Sequence, residues 1–146
     1  MKTVSMFGIV TVCLLSGLSC RGGVVGQRHS TLEPFLGSVD VPKRGSALQG
    51  PTVIAGGWAL AEDGVQRVEI YIDKQFVTYA TLGGDRPDIA KLFPSFPNPG
   101  KSGWNAVVDV SSLTNGDHEL VAQIKSKAGN VHELPPTPFR VAHDNK

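Results

Sequence analysis

The chain has no excess of charge of either sign. Its 146 residues include 14 lysines and arginines against 13 aspartates and glutamates, so the formal net charge is +1. It contains no run or stripe of basic residues. Proteins that hold nucleic acid by its phosphates carry such a patch, and polybasic segments also draw proteins to anionic lipid. Nucleic acid is therefore not an expected partner, and electrostatic attachment to a membrane is not expected.

Cysteine is scarce, and the spacings typical of metal sites and nucleophiles are missing. The two cysteines are Cys13 and Cys20, so the rest of the chain has no disulfide. There is no Cys-x-x-Cys, His-Glu-x-x-His or Gly-x-Ser-x-Gly motif. The acidic pairs at 62–63 and at 85 and 88 do not match an EF-hand loop. We therefore predict no catalytic residue, no metal and no cofactor, and a protein that is not an enzyme.

Residues 1–19 have the pattern of a secretory signal peptide. Lys2 is the only charged residue before Arg21, and an uncharged, largely apolar run extends from Thr3 to Cys20. A basic start, an apolar centre and small residues at the end are typical of export signals. A run of 18 residues could also just span a bilayer as a helix. Its seven Ser, Thr and Gly residues favour the signal peptide.

The end of this run, LSGLSC, resembles the lipobox of bacterial lipoproteins, whose cysteine becomes the lipidated first residue. The lipobox usually has Leu three residues before the cysteine, where this chain has Gly17. The alternative is cleavage after Ser19 or nearby, which would leave Cys20 as a free thiol or remove it. We predict lipidation of Cys20, and hence an exported, membrane-anchored lipoprotein of the cell envelope. The alternative cleavage implies a secreted protein.

A flexible tether is predicted between the signal and the domain. Removing 19 of the 146 residues leaves 127, with 13 basic and 13 acidic residues. Residues 20–34 include three glycines and show no periodicity, as in flexible linkers. The folded domain is predicted to occupy residues 35–146.

From Phe35 onward, apolar and polar residues alternate in short runs with turn residues between them, and no long stretch has helical periodicity. Alternation places Val68, Ile70 and Ile72 on one face of their run. Trp58 and Trp104 are predicted core residues. Seven strands are predicted, at 35–41, 51–61, 66–72, 76–82, 104–110, 118–127 and 139–143. This pattern predicts an all-β protein, an antiparallel β-sandwich.

Three separated motifs resemble a bacterial immunoglobulin-like module of exported and surface proteins. They are GWALAEDGVQRVEIYID, GGDRPDIAKLFPSFPNPGKSGW and VDVSSLTNGDHELVAQIKSKAGN. They match the family's Gly-Trp-Ala, Arg-Pro-Asp and Ser-Gly-Trp elements and lie within residues 50–131. The resemblance implies an immunoglobulin-like sandwich. It also implies a non-catalytic surface module that acts in protein binding or cell-surface assembly.

The turn after the second strand motif departs from the family, which often has Asp-Gly where this chain has Asp73-Lys74. A two-residue type I′ turn needs positive φ at both central residues, which disfavours lysine. Either the turn is strained or the loop is longer. If the turn is Asp73-Lys74, Tyr71 faces Phe76 on the outer face. With Tyr79, this pair suggests the alternative function of a carbohydrate-binding accessory module; otherwise it is an ordinary cross-strand pair.

The segment RPDIAKLFPSFPNPGKSGW combines four prolines with three large apolar residues. Its prolines prevent it from extending a sheet. We predict that it folds across one open end of the sandwich, with its apolar residues packed towards Trp104 and Asp88 capping a short helical turn. In the alternative interpretation its outer surface binds an unknown protein or glycan partner. The candidate binding residues are Arg86, Asp88, Phe93 and Phe96.

The first prediction concerns the mature amino terminus. Mass spectrometry of the protein from its own membranes should show Cys20 as the first residue, with the added mass of lipid, because the lipobox resemblance places cleavage before it. The Cys20→Ser variant should lose the lipid mass and the membrane association together. An unmodified amino terminus downstream of Cys20 would remove the lipoprotein hypothesis.

Overall fold

The computed structural model describes residues 34–144, which form ten strands, one short helix and one 3₁₀ turn. The helix α1 spans Pro87–Leu92, and the 3₁₀ turn spans Pro99–Lys101. The strands are β1 (Phe35–Val41), β2 (Ser46–Leu48), β3 (Thr52–Ala61), β4 (Val65–Ile72), β5 (Gln75–Tyr79), β6 (Thr81–Gly84), β7 (Gly103–Asp109), β8 (Gly116–Ser126), β9 (Val131–Glu133) and β10 (Thr137–Val141).

The strands form two sheets. One has four strands in the order β1-β3-β7-β6, and the other has six, in the order β2-β10-β8-β4-β5 with β9 also paired to β8. All pairs are antiparallel except β2 with β10. The first order corresponds to strands A-B-E-D of an immunoglobulin domain and the second contains C′-C-F-G. The predicted immunoglobulin-like β-sandwich is confirmed.

Each of the seven predicted strands is present, and the differences are local. The predicted strand 76–82 is divided into β5 and β6, which lie in different sheets. The chain crosses between sheets at Ala80, whose N–H donates to the Val68 carbonyl at 2.9 Å. No glycine or proline marks this crossing, so the alternation alone did not show it. Strands β2 and β9 have three residues each, too few for alternation to identify.

The main core lies between the sheets and contains the inward faces that alternation predicted. Val68, Ile70 and Ile72 are at most 4% exposed, and Trp104 is 2% exposed. Strands β7 and β8 add alternate residues, namely Ala106, Val108, Leu120, Ala122 and Ile124. No disulfide or metal is needed to explain this core, because apolar burial of about 25 cal/mol per Å² is the dominant stabilising contribution in such domains.

A second apolar cluster lies on the outer face of the four-stranded sheet. Along β3, Ala59 and Ala61 face the main core side, whereas Trp58 and Leu60 alternate to the other face. Leu60 packs there with the buried Ile89 and Phe96. Trp58 is only partly buried and belongs to this second cluster, so the prediction that Trp58 lies in the main core was wrong.

The proline-rich segment covers this outer face instead of one open end of the sandwich. Phe93 stacks on Trp58 with ring centroids 5.6 Å apart, and meets Phe96 edge-on at 6.3 Å. Phe96 is 5% exposed, but Leu92 is 68% exposed and does not join the cluster. The expected packing towards Trp104 was wrong, because that side chain points into the main core on the opposite face of the sheet.

The hairpin between β4 and β5 has the two-residue turn Asp73-Lys74. Both residues have positive φ, 49° and 68°, as a type I′ turn requires. Ile72 therefore pairs with Gln75, and Tyr71 with Phe76. The turn is strained at lysine, where the left-handed conformation is disfavoured, and the loop is not longer.

Contacts with β8 hold this strained turn in place. The Asp73 carboxylate accepts a hydrogen bond from the Glu119 N–H at 3.0 Å and lies 2.6 Å from His118 Nδ1. The other ring nitrogen of His118 lies 2.7 Å from the Thr114 carbonyl oxygen. Two acceptors on one imidazole favour its doubly protonated form. The Asp73 carboxylate, and then the Thr114 carbonyl, raise the pKa of His118 against the opposing effect of burial.

The second prediction concerns Phe96 beneath the proline-rich segment. Phe96→Ala should lower the free energy of unfolding by about 3 kcal/mol, because it removes a buried ring and leaves a cavity. The matched control is Leu92→Ala in the same segment, expected to change it by less than about 0.5 kcal/mol because Leu92 lies in solvent. Urea denaturation of both variants measures the difference. Equal stability of the two would contradict the burial of Phe96.

The third prediction concerns the pH dependence of stability. The pKa of His118 is raised above its ordinary value of 6.5 in the folded state. Protonation of His118 therefore contributes its full stabilisation below pH 6.5. The contribution is lost as the pH rises through the folded-state pKa. The free energy of unfolding of wild type minus that of His118→Asn should therefore decrease from pH 6 to pH 8.5.

The exposed His132 on β9 offers a matched control for this experiment. His132→Asn should keep the wild-type loss of stability over the same range, because it leaves the contact between His118 and Asp73 intact. A difference between wild type and His118→Asn that stayed constant with pH would contradict the proposed ion pair.

Candidate functional site

Three aromatic side chains form an exposed cluster on the outer face of the six-stranded sheet. This aromatic face consists of Tyr71 on β4 with Phe76 and Tyr79 on β5. Phe76 is 48% exposed and Tyr79 is 59% exposed, whereas Tyr71 is partly buried. Phe76 meets Tyr71 edge-on, with centroids 5.8 Å apart, and lies tilted 4.9 Å from Tyr79. Tyr79, predicted together with Tyr71 and Phe76 as possible aromatic surface, thus lies beside Phe76 on the same face.

An irregularity in the strand pairing brings Tyr79 to this face. Tyr71 pairs with Phe76, but Ile70 pairs with Thr78, so Val77 is an extra residue on β5. A β-bulge of this kind changes which side chains share a face. Strict alternation would place Tyr79 on the opposite face of β5 from Phe76. The bulge instead places both rings on the outer face, while Val77 packs against the main core.

Charged groups hold the aromatic face rigidly from β4. Glu69 is a buried carboxylate, 8% exposed, which accepts a hydrogen bond from the Tyr71 hydroxyl at 2.8 Å and another from Arg67 Nε at 2.5 Å. The Tyr71 hydroxyl and then Arg67 hold the pKa of Glu69 below its usual range. The same contact raises the pKa of Tyr71. Glu69 is therefore ionised at neutral pH.

Arg67 connects this network to the outermost ring. Its guanidinium carbon lies 5.6 Å from the centroid of Tyr79, within the range of a cation–π contact. In the register of the two strands, Arg67 lies opposite Lys125 of β8, and Glu69 lies opposite Gln123. Beyond the three aromatic rings, the outer face of the sheet carries polar residues of β8. One of them, Gln123, donates a hydrogen bond to Glu133 of β9 at 3.1 Å.

The predicted binding residues of the proline-rich segment have structural contacts. Arg86 donates to Asp88 at 2.8 Å and to Asp40 of β1 at 2.7 Å, which ties α1 to the four-stranded sheet. The Arg86 guanidinium lowers the pKa of Asp88 to about 2, and Asp88 raises that of Arg86. Asp88 does not cap the helix: α1 starts at Pro87, with Arg86 at the N-cap position.

Phe93 and Phe96 belong to the second cluster, so only a part of their surface is open to a partner. Phe96 is buried, and Phe93 is partly buried against Trp58. That this segment binds a partner stays a prediction. Cys20, the predicted signal and residues 20–33 of the predicted tether lie outside the described residues.

The described part of the chain shows neither a metal centre nor a membrane span. Within residues 34–144, no three His, Cys, Asp or Glu side chains are grouped so that they could hold a metal ion. In the same residues, no helix has the length and apolar character needed to cross a bilayer.

Two residues that contact this face, Arg67 and Glu69, were not among the residues predicted from the sequence, whereas Tyr79 was predicted with Tyr71 and Phe76 as possible aromatic surface. Arg67, Glu69 and Tyr71 are two residues apart along β4, so alternation could have shown that they share a face. Tyr79 had no such signal, because its orientation depends on the bulge at Val77.

No family model matches the chain, and no curated protein matches it. Among solved structures, it is similar to fibronectin(III)-like modules of Clostridium thermocellum CbhA, with 18% identity, a TM-score of 0.53, and coverage of 75% of this chain and 47% of that one. It is also similar to the endo-β-1,4-mannanase from Thermotoga petrophila, with 11% identity, a TM-score of 0.56, and coverage of 79% and 21%.

The chain thus spans less than half the length of these two structures. At such identities the likeness concerns the fold alone. The chain is an immunoglobulin-like β-sandwich, similar in fold to fibronectin(III)-like modules.

Proposed function

We propose that this protein is an exported, non-catalytic binding module whose aromatic face contacts a protein partner. The observation that carries this proposal is the exposure of Phe76 and Tyr79 side by side on a paired strand. Aromatic and arginine side chains are enriched in protein interfaces and at their energetically dominant positions. The face presents two exposed rings and the Arg67 guanidinium, 42% exposed, within one small area.

The rigidity of the face supports a role in binding. Tyr71 is fixed by Glu69, and Phe76 lies between the two tyrosines. Side chains already held in one conformation lose little entropy when a partner binds. Ordinary cross-strand pairing would also produce these contacts, but would not require two of three rings to stay about half exposed.

The comparisons are compatible with a role as an accessory module. The chain is similar in fold to part of CbhA, in its fibronectin(III)-like modules, and to part of a mannanase. The proposed position of the module is the cell surface, with lipid on Cys20 as its anchor. This proposal depends on the lipobox resemblance, and the mass of the mature amino terminus tests it.

Carbohydrate binding is the second candidate function. The polar residues Gln123 and Glu133, which lie on the same outer face but are separated from Tyr79 by β4, favour it, since sugar hydroxyls need such partners. The angles between rings favour a protein instead. Phe76 is inclined by 75° to Tyr71 and by 56° to Tyr79, so the three rings do not form one flat platform for successive sugars.

The fourth prediction tests the aromatic face. The mature wild-type protein, immobilised, should retain a protein from the exported fraction of its own organism. The double variant Phe76→Ser/Tyr79→Ser should bind that purified partner at least about thirtyfold more weakly, since two dominant rings contribute about 2 kcal/mol or more. Biolayer interferometry measures both affinities. An unchanged affinity in the double variant would reject the aromatic face as the binding surface.

The control for this experiment is Leu92→Ser, which removes an apolar side chain of similar exposure from α1. It should bind like wild type if the effect is specific to the aromatic face. A glycan array with the same three proteins separates the two candidate functions. Carbohydrate binding would be supported instead if the wild-type protein retained a glycan but no protein, and if the double variant lost the glycan.

A further inference from the structure

Strand β5 forms a free edge of the six-stranded sheet. It pairs with β4 on one side, and no strand within residues 34–144 pairs with its other side. Its sequence, QFVTY, contains no charged residue, proline or glycine. The unpaired N–H and C=O groups of an edge strand are a template for another strand, so proteins usually protect edges with charge, proline, shortness or a bulge. Of these devices, β5 has only the bulge at Val77.

The other edge strands of the described structure are better protected. Strands β2 and β9 have three residues each. Strand β6 has four residues and an irregular pairing with β7. Strand β1 is longer, but it contains Asp40 and is followed by Pro42. Strand β5 is therefore the edge best suited to pairing with another chain.

The hydrogen-bond pattern shows which backbone groups of β5 point to the free edge. The Ala80 N–H donates to the Val68 carbonyl at 2.9 Å, so these two residues form a hydrogen-bonded pair. In antiparallel strands, such pairs alternate with non-hydrogen-bonded pairs. The next pair is Tyr79 with Glu69. The N–H and C=O of Tyr79 therefore point away from β4.

The turn leads to the same result at the other end of β5. Gln75 lies opposite Ile72, and the hydrogen bond of a two-residue turn joins these positions. The following pair, Tyr71 with Phe76, is then non-hydrogen-bonded on this side, so the N–H and C=O of Phe76 also point to the free edge. The Asp73 N–H donates to a carbonyl of β8 at 3.0 Å, as this alternation requires of β4. The two residues with exposed rings thus also carry the unpaired backbone groups.

We propose that the protein partner of the aromatic face is a second copy of this chain, an inference that rests on the proposed function. The two β5 strands pair antiparallel about a two-fold axis, and Phe76 of each copy exchanges backbone hydrogen bonds with Tyr79 of the other. The bulge at Val77 gives Phe76 and Tyr79 the spacing of alternate residues, since they lie opposite two alternate residues of β4. Each residue therefore meets the free groups of its counterpart, as a two-fold interface requires.

Charge and ring positions favour a second copy as the occupant of this edge. No charged residue lies within β5, so like charges do not meet across the pairing. The nearest charge, Lys74, lies at opposite ends of the seam in the two copies, because the strands run antiparallel. The half-exposed rings of Phe76 and Tyr79 come together with those of the other copy on one face, and aromatic cross-strand pairs stabilise sheets. The mature chain carries 13 basic and 13 acidic residues, so net charge does not separate the copies.

The fifth prediction is a weak, concentration-dependent dimer. The seam is one strand wide, and small interfaces belong to weak complexes, so we expect a dissociation constant of about 100 µM. The mature chain with Cys20→Ser excludes lipid micelles and disulfide-linked dimers. Its sedimentation should change from mostly monomer at about 10 µM to mostly dimer at about 1 mM. A monomer over the whole range would overturn the proposal.

Charge exchange at Thr78 tests the seam without removing a ring. In the proposed pairing, Thr78 lies beside the two-fold axis, opposite Val77 of the second copy. Thr78→Lys and Thr78→Glu should each abolish the dimer, because like charges then meet across the axis. An equimolar mixture of the two variants should restore it. The matched control is Thr52→Lys, at an exposed threonine of the other sheet, which should dimerise like wild type.

Two results of this exchange would reject the β5 seam. One is a dimer that persists in both single variants, and the other is a mixture that stays monomeric although both variants are folded.

Amide hydrogen exchange tests the assigned backbone groups directly. The N–H groups of Phe76 and Tyr79 should exchange about fourfold more slowly at about 1 mM than at about 10 µM, following the fraction of monomer. The Gly45 N–H, which donates to the Pro138 carbonyl within the chain at 2.7 Å, should exchange at the same rate at both concentrations. Equal rates for Phe76 and Tyr79 in a protein that dimerises would place the interface elsewhere and overturn the proposal.

The double variant Phe76→Ser/Tyr79→Ser separates this inference from the proposed function. If wild type stays monomeric but the double variant loses a different retained protein, the second copy is rejected as the partner and the proposed function stands. If wild type and the double variant dimerise equally and the Thr78 mixture behaves as expected, the rings have no part in binding. The proposed function then fails, whereas the β5 seam stands.

Discussion

The fold depends on the burial of β3 from both sides. Its odd-numbered residues, such as Ala55 and Ala59, face the core between the sheets, and its even-numbered residues Trp58 and Leu60 face the second cluster. A strand in a two-layer sandwich normally has one face in solvent. Here the solvent face at one end of β3 carries large apolar side chains, so another part of the chain has to cover it.

The proline-rich segment supplies that cover, and its composition follows from this role. A cover cannot join the sheet, and prolines ensure that it does not. It needs large apolar side chains that point inward, which Ile89 and Phe96 provide. It also needs an attachment at its edge, which Arg86 provides through Asp40 of β1. The unusual combination of four prolines and two phenylalanines is thus explained by packing.

Strands β1 and β3 also lie in close contact. A Cβ at Gly57 would overlap the Ser38 carbonyl oxygen and contact the Trp104 ring. Gly57 therefore lets the backbone of β1 approach and leaves room for the Trp104 ring in the main core. At this end of the four-stranded sheet, the residues therefore serve the packing of the fold. The exposed aromatic rings lie on the other sheet, where β4 and β5 form a hairpin.

Sequence alone predicted seven strand regions and most of the inward faces, but it left the register of the β4–β5 hairpin open. The alternation at Val68, Ile70 and Ile72 predicted a buried face because the side-chain period of a strand is two. The structure shows the two-residue turn Asp73-Lys74, and with this turn Tyr71 opposes Phe76. Tertiary structure decided the rest. Tyr79 joins the aromatic face only through a bulge, and Trp58 faces outward because β3 is covered on both sides. These placements depend on contacts between residues distant in the chain, which local periodicity does not encode.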